Sequence, residues 1–304
     1  MKILVTGVGG QLGHDLMNEL YARGYEAIGS DLAPVYSGIA DDSPVTRMPY
    51  ISLDITNREA VQAAVQETAP DAVIHCAGWT AVDAAEDEAN KALVHQINVS
   101  GTRYIAEACK ACGSKMLYLS TDYVFNGQGT APWTPDSKDY AALNVYGQSK
   151  LDGELAVCHT LERFFIVRIA WVFGLNGSNF VRTMLNLGKK YDTLRVVSDQ
   201  IGTPTYTRDL SRLLVDMIET EKYGYYHATN EGGYISWYEF ACEIFRQAGY
   251  PTRVIPVTTE EYGMNKAHRP YNSRLDKTKL KECGFVPLPH WQDALARYLK
   301  EIEE

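Results

Sequence analysis

The chain has 304 residues, of which 45% are apolar and 22% charged, so it is long enough to bury a full core and has an ordinary globular balance. Its 29 basic residues against 38 acidic ones give a formal net charge of −9. Such a chain lacks the basic surface that phosphate-backbone binding needs, and we predict no nucleic-acid partner. No apolar stretch approaches about 18 residues, so we predict no membrane partner. The chain opens without a signal-peptide pattern, and with six cysteines interpreted as thiols we expect a cytoplasmic protein.

The first 120 residues alternate short apolar strands with amphipathic helices. We predict strands at 2–6, 27–30, 51–53, 72–76 and 116–120, and helices at 10–23, 57–68 and 86–112. Strands alternating with helices at this spacing imply right-handed crossovers and a parallel sheet covered on both faces. The fold class is therefore α/β, a doubly wound, Rossmann-like parallel sheet.

The second half of the chain is less regular and carries longer loops. We predict a strand at 165–169 and helices at 145–160, 179–190, 207–219, 236–247 and from 291. We expect a dinucleotide-binding Rossmann domain over 1–165. Residues 166–304 would form mainly a smaller substrate-binding lobe, with some segments returning to the sheet.

A glycine-rich turn, T-G-V-G-G-Q-L-G, separates the first predicted strand from the first helix. Gly7 permits a tight turn, Gly10 lets the backbone approach a pyrophosphate, and Gly13 lets helix and strand pack closely. A plain strand–helix turn could also use these glycines. The context favours dinucleotide binding, because Asp31 ends the second strand 18 residues after Gly13, where a carboxylate can bond both hydroxyls of an adenosine ribose.

Other polar residues follow the ends of predicted strands, which line the ligand crevice in a parallel sheet. Asp54 and the turn ending in Gly78 are two such positions. Tyr146 and Lys150 lie four residues apart on one helix face, where a nearby ammonium is expected to lower the pKa of the phenol. An exposed Tyr–Lys pair would look the same, but a hydroxyl from Ser120-Thr121 at a strand end could bond a substrate carbonyl beside the tyrosine.

Cys109 and Cys112 form a C-x-x-C pair near the end of a long predicted helix. A zinc or redox role needs a second pair, histidine ligands or a thioredoxin-like context, and the sequence offers none of these. We interpret the pair as two helix residues and predict no metal ligands.

These features together resemble the extended short-chain dehydrogenases/reductases, and further motifs are similar to the dTDP-4-dehydrorhamnose reductase family among them. The matching motifs run in order over nearly the whole chain: T-A-V-D-A-A-E at 80–86, S-T-D-Y-V-F-N-G at 120–127, L-N-V-Y-G-Q-S-K at 143–150, R-I-A-W-V-F-G at 168–174, D-Q-I-G-T-P-T at 199–205 and R-P-Y-N-S-R-L at 269–275.

The resemblance implies an oxidoreductase that takes a nucleotide-sugar partner as its substrate. It would reduce the C4 ketone of dTDP-4-dehydro-L-rhamnose with hydride from NADH or NADPH, the last step of dTDP-rhamnose biosynthesis for cell-wall polysaccharide. By position, Thr121 would hold the carbonyl, Tyr146 would donate the proton, and Lys150 would bond the cofactor ribose and tune Tyr146. Asp122 and Trp171 match substrate-contacting positions. The matched cofactor-contacting positions are Gly7, Gly10, Gln11, Leu12, Gly13, Asp31, Asp54, Ile55, Gly78, Trp79, Thr80, Leu119, Tyr146 and Lys150.

Two positions depart from the family pattern. Family members often favour NADPH, whereas Asp31 should repel a 2′-phosphate and favour NADH. Some relatives bind magnesium through glutamates at a dimer contact, and Asp15 stands where one of these glutamates would be. Magnesium binding and the choice between monomer and homodimer therefore stay open.

Two alternative functions remain at this stage. Another nucleotide-sugar reductase or epimerase, or a dehydratase, would share the fold; dehydratases carry Asp-Glu after the threonine, whereas this chain has Asp122-Tyr123 and lacks the second carboxylate. A non-catalytic regulatory subunit, like the relative that partners methionine adenosyltransferase, would also keep the dinucleotide fold. The intact Thr121, Tyr146 and Lys150 set favours an enzyme.

Overall fold

The computed structural model describes residues 1–303, and the first part of this range alternates strands with helices. In chain order the elements are Lys2–Thr6 (β1), Gln11–Ala22 (α1), Glu26–Asp31 (β2), Tyr50–Ser52 (β3), Arg58–Thr68 (α2), Ala72–His75 (β4), Val82–Ala85 (α3), Glu88–His95 (α4), Thr102–Cys112 (α5), Lys115–Thr121 (β5) and Val145–Thr160 (α6). The alternation that the sequence predicts is confirmed.

One predicted element is wrong in its detail. The sequence indicates a single helix over 86–112, but the structure divides this segment into α4, a six-residue π-helical turn at Gln96–Gly101, and α5. A π turn inserts one residue into a helix and frequently marks a functional site. At its end, Gly101 lies against Ile55, and a β-carbon at that position would come within 2.9 Å of the Ile55 side chain.

The second part of the chain returns to the main sheet and adds shorter elements. These are Phe164–Ile169 (β6), Val172–Phe173 (β7), Phe180–Gly188 (α7), Thr193–Val197 (β8), Ile201–Gly202 (β9), Thr205–Tyr206 (β10), Thr207–Ile218 (α8), Gly224–His227 (β11), Ile235–Ser236 (β12), Trp237–Ala248 (α9), Arg253–Val257 (β13), Thr259–Tyr262 (α10), Thr278–Glu282 (α11) and Trp291–Glu303 (α12).

The main sheet has seven strands in the order β11-β6-β5-β4-β1-β2-β3, and all its pairings are parallel. Three two-stranded sheets, β7 with β10, β8 with β13 and β9 with β12, belong to the second half of the chain. The strand order reverses between β1 and β4. In such a sheet, ligands bind outside the carboxyl ends of the strands at this reversal.

The core has two layers, one on each face of the main sheet. Strand β1 shows the period of two that this requires, because Ile3 and Val5 belong to one hydrophobic cluster and Leu4 to the other. Helices α1 and α8 cover the first face, and α2, α5 and α6 cover the second. Cys109 is buried in this second cluster and Cys112 is exposed on the same helix, both as free thiols, which confirms their interpretation as helix residues.

A third hydrophobic cluster forms the core of the smaller lobe. Side chains from α7, α9 and α12 pack there around Phe173 and Tyr206. No helix among residues 1–303 has the length and apolar character needed to cross a bilayer.

Candidate active site

A cleft of about 870 Å³ opens at the carboxyl ends of the main-sheet strands. It extends from the glycine-rich turn after β1, past the end of β5, to the start of α9. The structure places nearly all of the sequence-predicted site residues in its lining: Gly7, Gly10, Gln11, Leu12, Gly13, Asp31, Asp54, Ile55, Gly78, Thr80, Leu119, Thr121, Asp122, Tyr146, Lys150 and Trp171.

The glycine-rich turn is fixed by backbone contacts that a side chain would break. Gly7 has φ +76°, and its N–H donates to the Ser30 carbonyl at 2.8 Å. A β-carbon on Gly13 would collide with the Gly7 carbonyl oxygen, so α1 can approach β1 only with glycine there. Around Gly10 the space is less restricted, because the nearest heavy atom to such a β-carbon is the Gly7 carbonyl oxygen at 3.3 Å, which is still a tight contact. A glycine there also keeps the backbone open to the cleft.

The start of α1 and the end of β2 meet at this turn. No side chain caps the amino terminus of α1, so its first N–H groups face the cleft and suit an anion. The Asp31 carboxylate accepts hydrogen bonds from Gly9 N at 2.8 Å and from Leu32 N at 2.7 Å. Lys150 is the only lysine or arginine in the cleft lining formed by residues 1–303. This arrangement fits a dinucleotide whose pyrophosphate lies on α1 and whose adenosine ribose lies beside Asp31.

Trp79 is the predicted site residue that lies outside the cleft lining. Its indole N–H donates to the Ala81 carbonyl at 3.0 Å, so the side chain turns back on its own loop. The backbone of the same residue is held by Asn98, whose Oδ1 accepts from Trp79 N at 2.8 Å and whose Nδ2 donates to Ser149 Oγ at 2.9 Å. Asn98 lies in the π turn and connects the Gly78 loop to the tyrosine helix. The sequence carries no signal for this role, because the residue pattern of a π turn does not differ from that of an α-helix.

A second polar residue, Asn176, ties the two halves of the chain together over the glycine-rich turn. Its Nδ2 donates to the Gly9 carbonyl at 2.8 Å and its Oδ1 accepts from Ile39 N at 3.2 Å. It is almost fully buried and lines the cleft. The only sign of this role in the sequence is an asparagine inside a loop that contains glycines. No residue spacing connects that asparagine to Gly9.

Tyr146 and Lys150 lie in the first two turns of α6, and Thr121 ends β5. Asn144 caps α6 by accepting from Gly147 N at 2.7 Å, and a β-carbon on Gly147 would collide with the Tyr123 carbonyl, so this helix packs closely on the strand end. The Thr121 hydroxyl lies beside the Tyr146 phenol, close enough to favour its ionised form. Lys150 Nζ lies 4.1 Å from the centroid of the Tyr118 ring.

The predicted lowering of the Tyr146 pKa is wrong. Burial raises the pKa of Tyr146 well above its usual range, and the neighbouring Thr121 hydroxyl offsets this only in part. Burial also lowers the pKa of Lys150 to about 7, with a partial offset from the Glu154 carboxylate. Desolvation is the main cause of both shifts, because both groups are buried where α6 packs on β5.

Asp122 follows Thr121 and is buried, with 1% of its surface exposed. Its Oδ1 accepts from the Thr121 hydroxyl at 3.1 Å, and Ser273 approaches the carboxyl group from the facing loop. Oδ2 has no hydrogen bond of good geometry within residues 1–303. Burial raises the pKa of Asp122 to about 6.

Two stacked indoles form the far wall of the cleft. Trp171 has φ +51°, a left-handed conformation that costs energy for a residue with a side chain. Its ring stacks on Trp237 with centroids 3.8 Å apart and planes at 16°, and both line the cleft. A β-carbon on Gly202 would lie 2.9 Å from the Trp171 ring. Trp237 was not predicted; its signal is a large aromatic at the first position of a helix, directly after the capping Ser236.

The side chains around Asp15 do not fit a magnesium site within this chain. Residues 1–303 contain no group of three or more His, Cys, Asp or Glu side chains arranged to hold a metal ion. Asp15 is buried and accepts a hydrogen bond from the Thr207 hydroxyl. Burial raises the pKa of Asp15 to about 7 and so disfavours its carboxylate form, which is the form that a cation ligand needs.

Comparison with known proteins agrees with this geometry. The family model described as RmlD substrate binding domain matches residues 1–304. The chain is 42% identical to dTDP-4-dehydrorhamnose reductase of Streptomyces griseus, over 96% of this chain and 91% of that one. It is 40% identical to the spore coat polysaccharide biosynthesis protein SpsK of Bacillus subtilis (strain 168), over 99% and 97% of the two chains.

A solved structure shows the same architecture with a bound dinucleotide. It is the dTDP-4-dehydrorhamnose reductase from Bacillus anthracis str. Ames in complex with NADP, with 39% identity, a TM-score of 0.88 and 99% of each chain covered. The match of the family model over the whole length, and relatives at about 40% identity over nearly all of it, establish the family. The chain belongs to the RmlD family of extended short-chain dehydrogenases/reductases.

Proposed function

We propose that this chain reduces the C4 ketone of dTDP-4-dehydro-L-rhamnose to dTDP-L-rhamnose with hydride from a nicotinamide dinucleotide. The observation that carries the proposal is the joining of two sets of residues in one cleft. The glycine-rich turn with Asp31 forms one half, and Thr121, Asp122, Tyr146 and Lys150 form the other. The relatives named dTDP-4-dehydrorhamnose reductase support the choice of substrate.

The glycine-rich turn, Asp31 and Lys150 would hold the dinucleotide. The amino terminus of α1 would bind its pyrophosphate, Asp31 its adenosine ribose, and Lys150 its nicotinamide ribose. The bound nicotinamide supplies a hydride, which carries the two electrons of the reduction. We propose that residues 1–165 serve mainly this binding and that 166–304 serve mainly the sugar nucleotide. Trp171, Asn176 and Trp237 are among the residues after 165 that line the cleft.

Thr121, Tyr146 and Lys150 would act on the ketone. The hydroxyls of Thr121 and Tyr146 lie side by side in the cleft, so both can reach a single carbonyl oxygen. Because burial keeps the pKa of Tyr146 high, its phenol is protonated at neutral pH, which is the form that a proton donor needs. The donor gives its proton as negative charge develops on the carbonyl oxygen, and Lys150 stabilises the phenolate that remains.

The cleft also disfavours the alternative reactions. Tyr123 occupies the position after Asp122 and packs edge-on against Tyr146 with ring centroids 5.6 Å apart, so elimination of water lacks a second carboxylate there. A regulatory subunit has no need of a complete Thr121, Tyr146 and Lys150 arrangement. Monomer and homodimer both stay predictions. A reducing cytoplasm also stays a prediction, supported by six free thiols.

The experiment that tests the proposal follows nicotinamide absorbance with purified protein, with and without dTDP-4-dehydro-L-rhamnose. We expect oxidation of the nicotinamide only when the sugar nucleotide is present, and dTDP-L-rhamnose as the product. The matched variant is Tyr146→Phe, which keeps the ring and removes the proton. Binding of the dinucleotide without any substrate-dependent oxidation would favour the regulatory alternative.

A further inference from the structure

Three neighbouring side chains form a polar row in the cleft. The Tyr146 phenol lies beside the Thr121 hydroxyl, and that hydroxyl donates to Asp122 Oδ1 at 3.1 Å. Asp122 ends the row as a carboxyl group with 1% exposure, and its Oδ2 has no hydrogen-bond partner of good geometry within residues 1–303. The Asp122 carboxyl group can therefore carry a proton without losing a hydrogen bond to the rest of the protein.

The proposed reduction leaves a proton deficit at one end of this row. Each turnover breaks the O–H bond of Tyr146 and forms an O–H bond on the sugar, so Tyr146 becomes a phenolate and must regain a proton. A threonine hydroxyl can accept a proton on one side while giving its own on the other. Resting on the function proposed above, we infer that Asp122 returns the proton to Tyr146 through the hydroxyl of Thr121.

The transfer is balanced in atoms and charge. The O–H bond of the Asp122 carboxyl group breaks, and Thr121 takes this proton while passing its own to the phenolate oxygen. Tyr146 is again a phenol, Thr121 is unchanged, and Asp122 is a carboxylate. Asp122 then regains a proton from the bulk solvent as the product leaves, which supplies the one proton that each reduction consumes. No electrons move in this step, so it needs no oxidant or reductant.

Among the groups that face Asp122, none is an acid that titrates near neutrality, and Lys150, whose pKa burial lowers to about 7, lies one helical turn beyond Tyr146 and is not among them. Ser273, from the facing loop, and Thr121 are not acids at neutral pH. Tyr123, from the following turn, has its pKa raised by burial to about 12 and accepts a hydrogen bond from Arg269 at 3.3 Å. Burial raises the pKa of Asp122 to about 6, close enough to neutrality for the carboxyl group to lose and regain a proton in each cycle.

The test separates the first turnover from later ones with the variant Asp122→Asn. The amide keeps the size of the side chain but has no proton that it can transfer. Since Tyr146 starts out protonated, we expect the first oxidation of bound nicotinamide to stay within about threefold of the wild-type rate. Steady-state kcat should fall by about 10²-fold, so a burst of one turnover appears. The matched control is Ser273→Ala, which changes a neighbour of Asp122 without removing the acid and should show no burst.

A second variant makes the result independent of how well the amide packs. In Asp122→Ala, added formate is expected to restore steady-state kcat by about tenfold or more without changing the first turnover, because a small acid can occupy the vacated space. Binding of the dinucleotide, followed by fluorescence, reports whether each variant is folded. Equal losses in the first turnover and in kcat would overturn the inference and assign Asp122 to the ketone itself. An unchanged kcat in both variants would overturn it as well.

The same data distinguish a failure of the inference from a failure of the proposed function. If wild-type protein does not oxidise nicotinamide with dTDP-4-dehydro-L-rhamnose, the proposed substrate is wrong. The variants are then compared with a dTDP-linked 4-keto-6-deoxyhexose of different ring configuration, since the proton row requires only a ketone between Thr121 and Tyr146. If wild-type protein turns over neither ketone, both proposals fail. Turnover by wild type without a burst in Asp122→Asn contradicts the proton return alone.

Discussion

The substitution Asp31→Asn tests which dinucleotide this cleft prefers. Asp31 ends β2 beside the glycine-rich turn, and its carboxylate accepts from Gly9 N at 2.8 Å. No arginine lies in the cleft lining of the described residues, and the downstream Arg47 donates to the Asp42 carbonyl instead, at 2.7 Å. A 2′-phosphate would therefore meet the carboxylate without a compensating cation.

The expected magnitude follows from Coulomb's law. Two unit charges on a phosphate about 6 Å from the carboxylate cost about 1 kcal/mol at the dielectric constant of water and about 5 kcal/mol at an effective value near 20. Asp31 is half-buried and lies between these limits. We expect kcat/KM with NADH to exceed that with NADPH by about tenfold or more. Asp31→Asn should remove most of this difference and leave kcat at saturating NADH nearly unchanged, since an amide oxygen still accepts from Gly9 N.

The assay measures kcat/KM for both dinucleotides at fixed salt in wild type, in Asp31→Asn and in the control Asp54→Asn. Asp54 is another carboxylate at a strand end in the cleft, but it is bonded to Thr56 N and Oγ1 at 2.9 and 2.7 Å. The control should keep the wild-type ratio. The Bacillus anthracis relative was solved with NADP. A higher efficiency with NADPH in wild-type protein of this chain would refute the reasoning and require a cation that moves over the site.

Three further changes have expected outcomes. Tyr146→Phe should lower turnover by about 10²–10⁴-fold with little effect on dinucleotide affinity, and near-normal turnover would contradict its role as proton donor. Trp171→Ala should raise the substrate KM by about tenfold or more, the order expected for loss of aromatic stacking, while dinucleotide binding persists; loss of folding would show a core role instead. Asp15→Asn should stabilise the protein at pH 8 by up to about 4 kcal/mol and by little at pH 4, measured by urea unfolding. The reason is that the pKa of Asp15 is raised to about 7, so its ionisation destabilises the folded state as pH rises from about 4 to 7. Equal effects at both pH values would contradict this account.

Local rules in the sequence were enough to predict much of the fold. The helix predicted over 57–68 matches α2, and Asn57 caps it by accepting from Ala60 N at 3.0 Å. The helix predicted over 145–160 matches α6, which places Tyr146 and Lys150 on one face as their spacing implied. Caps and spacings of this kind involve residues a few positions apart, so a single sequence records them.

What the sequence could not predict depends on contacts between distant segments. The stacking of Trp237 on Trp171 brings together residues that are far apart in the chain, and the hydrogen bond from Asn176 to Gly9 spans even more. The pKa of Tyr146 was predicted in the wrong direction because its spacing from Lys150 is visible in the sequence and its burial is not. Burial is a property of the assembled fold and decides the sign here.

The most direct test of the central claim follows one hydrogen atom. The protein is supplied with nicotinamide dinucleotide that carries deuterium at the reactive position and with dTDP-4-dehydro-L-rhamnose, and the product is examined by NMR. We expect dTDP-L-rhamnose with one deuterium on C4 of the sugar, and almost none of this product with Tyr146→Phe in the same time. Dinucleotide binding without deuterated product, or deuterium on any other carbon, would contradict it.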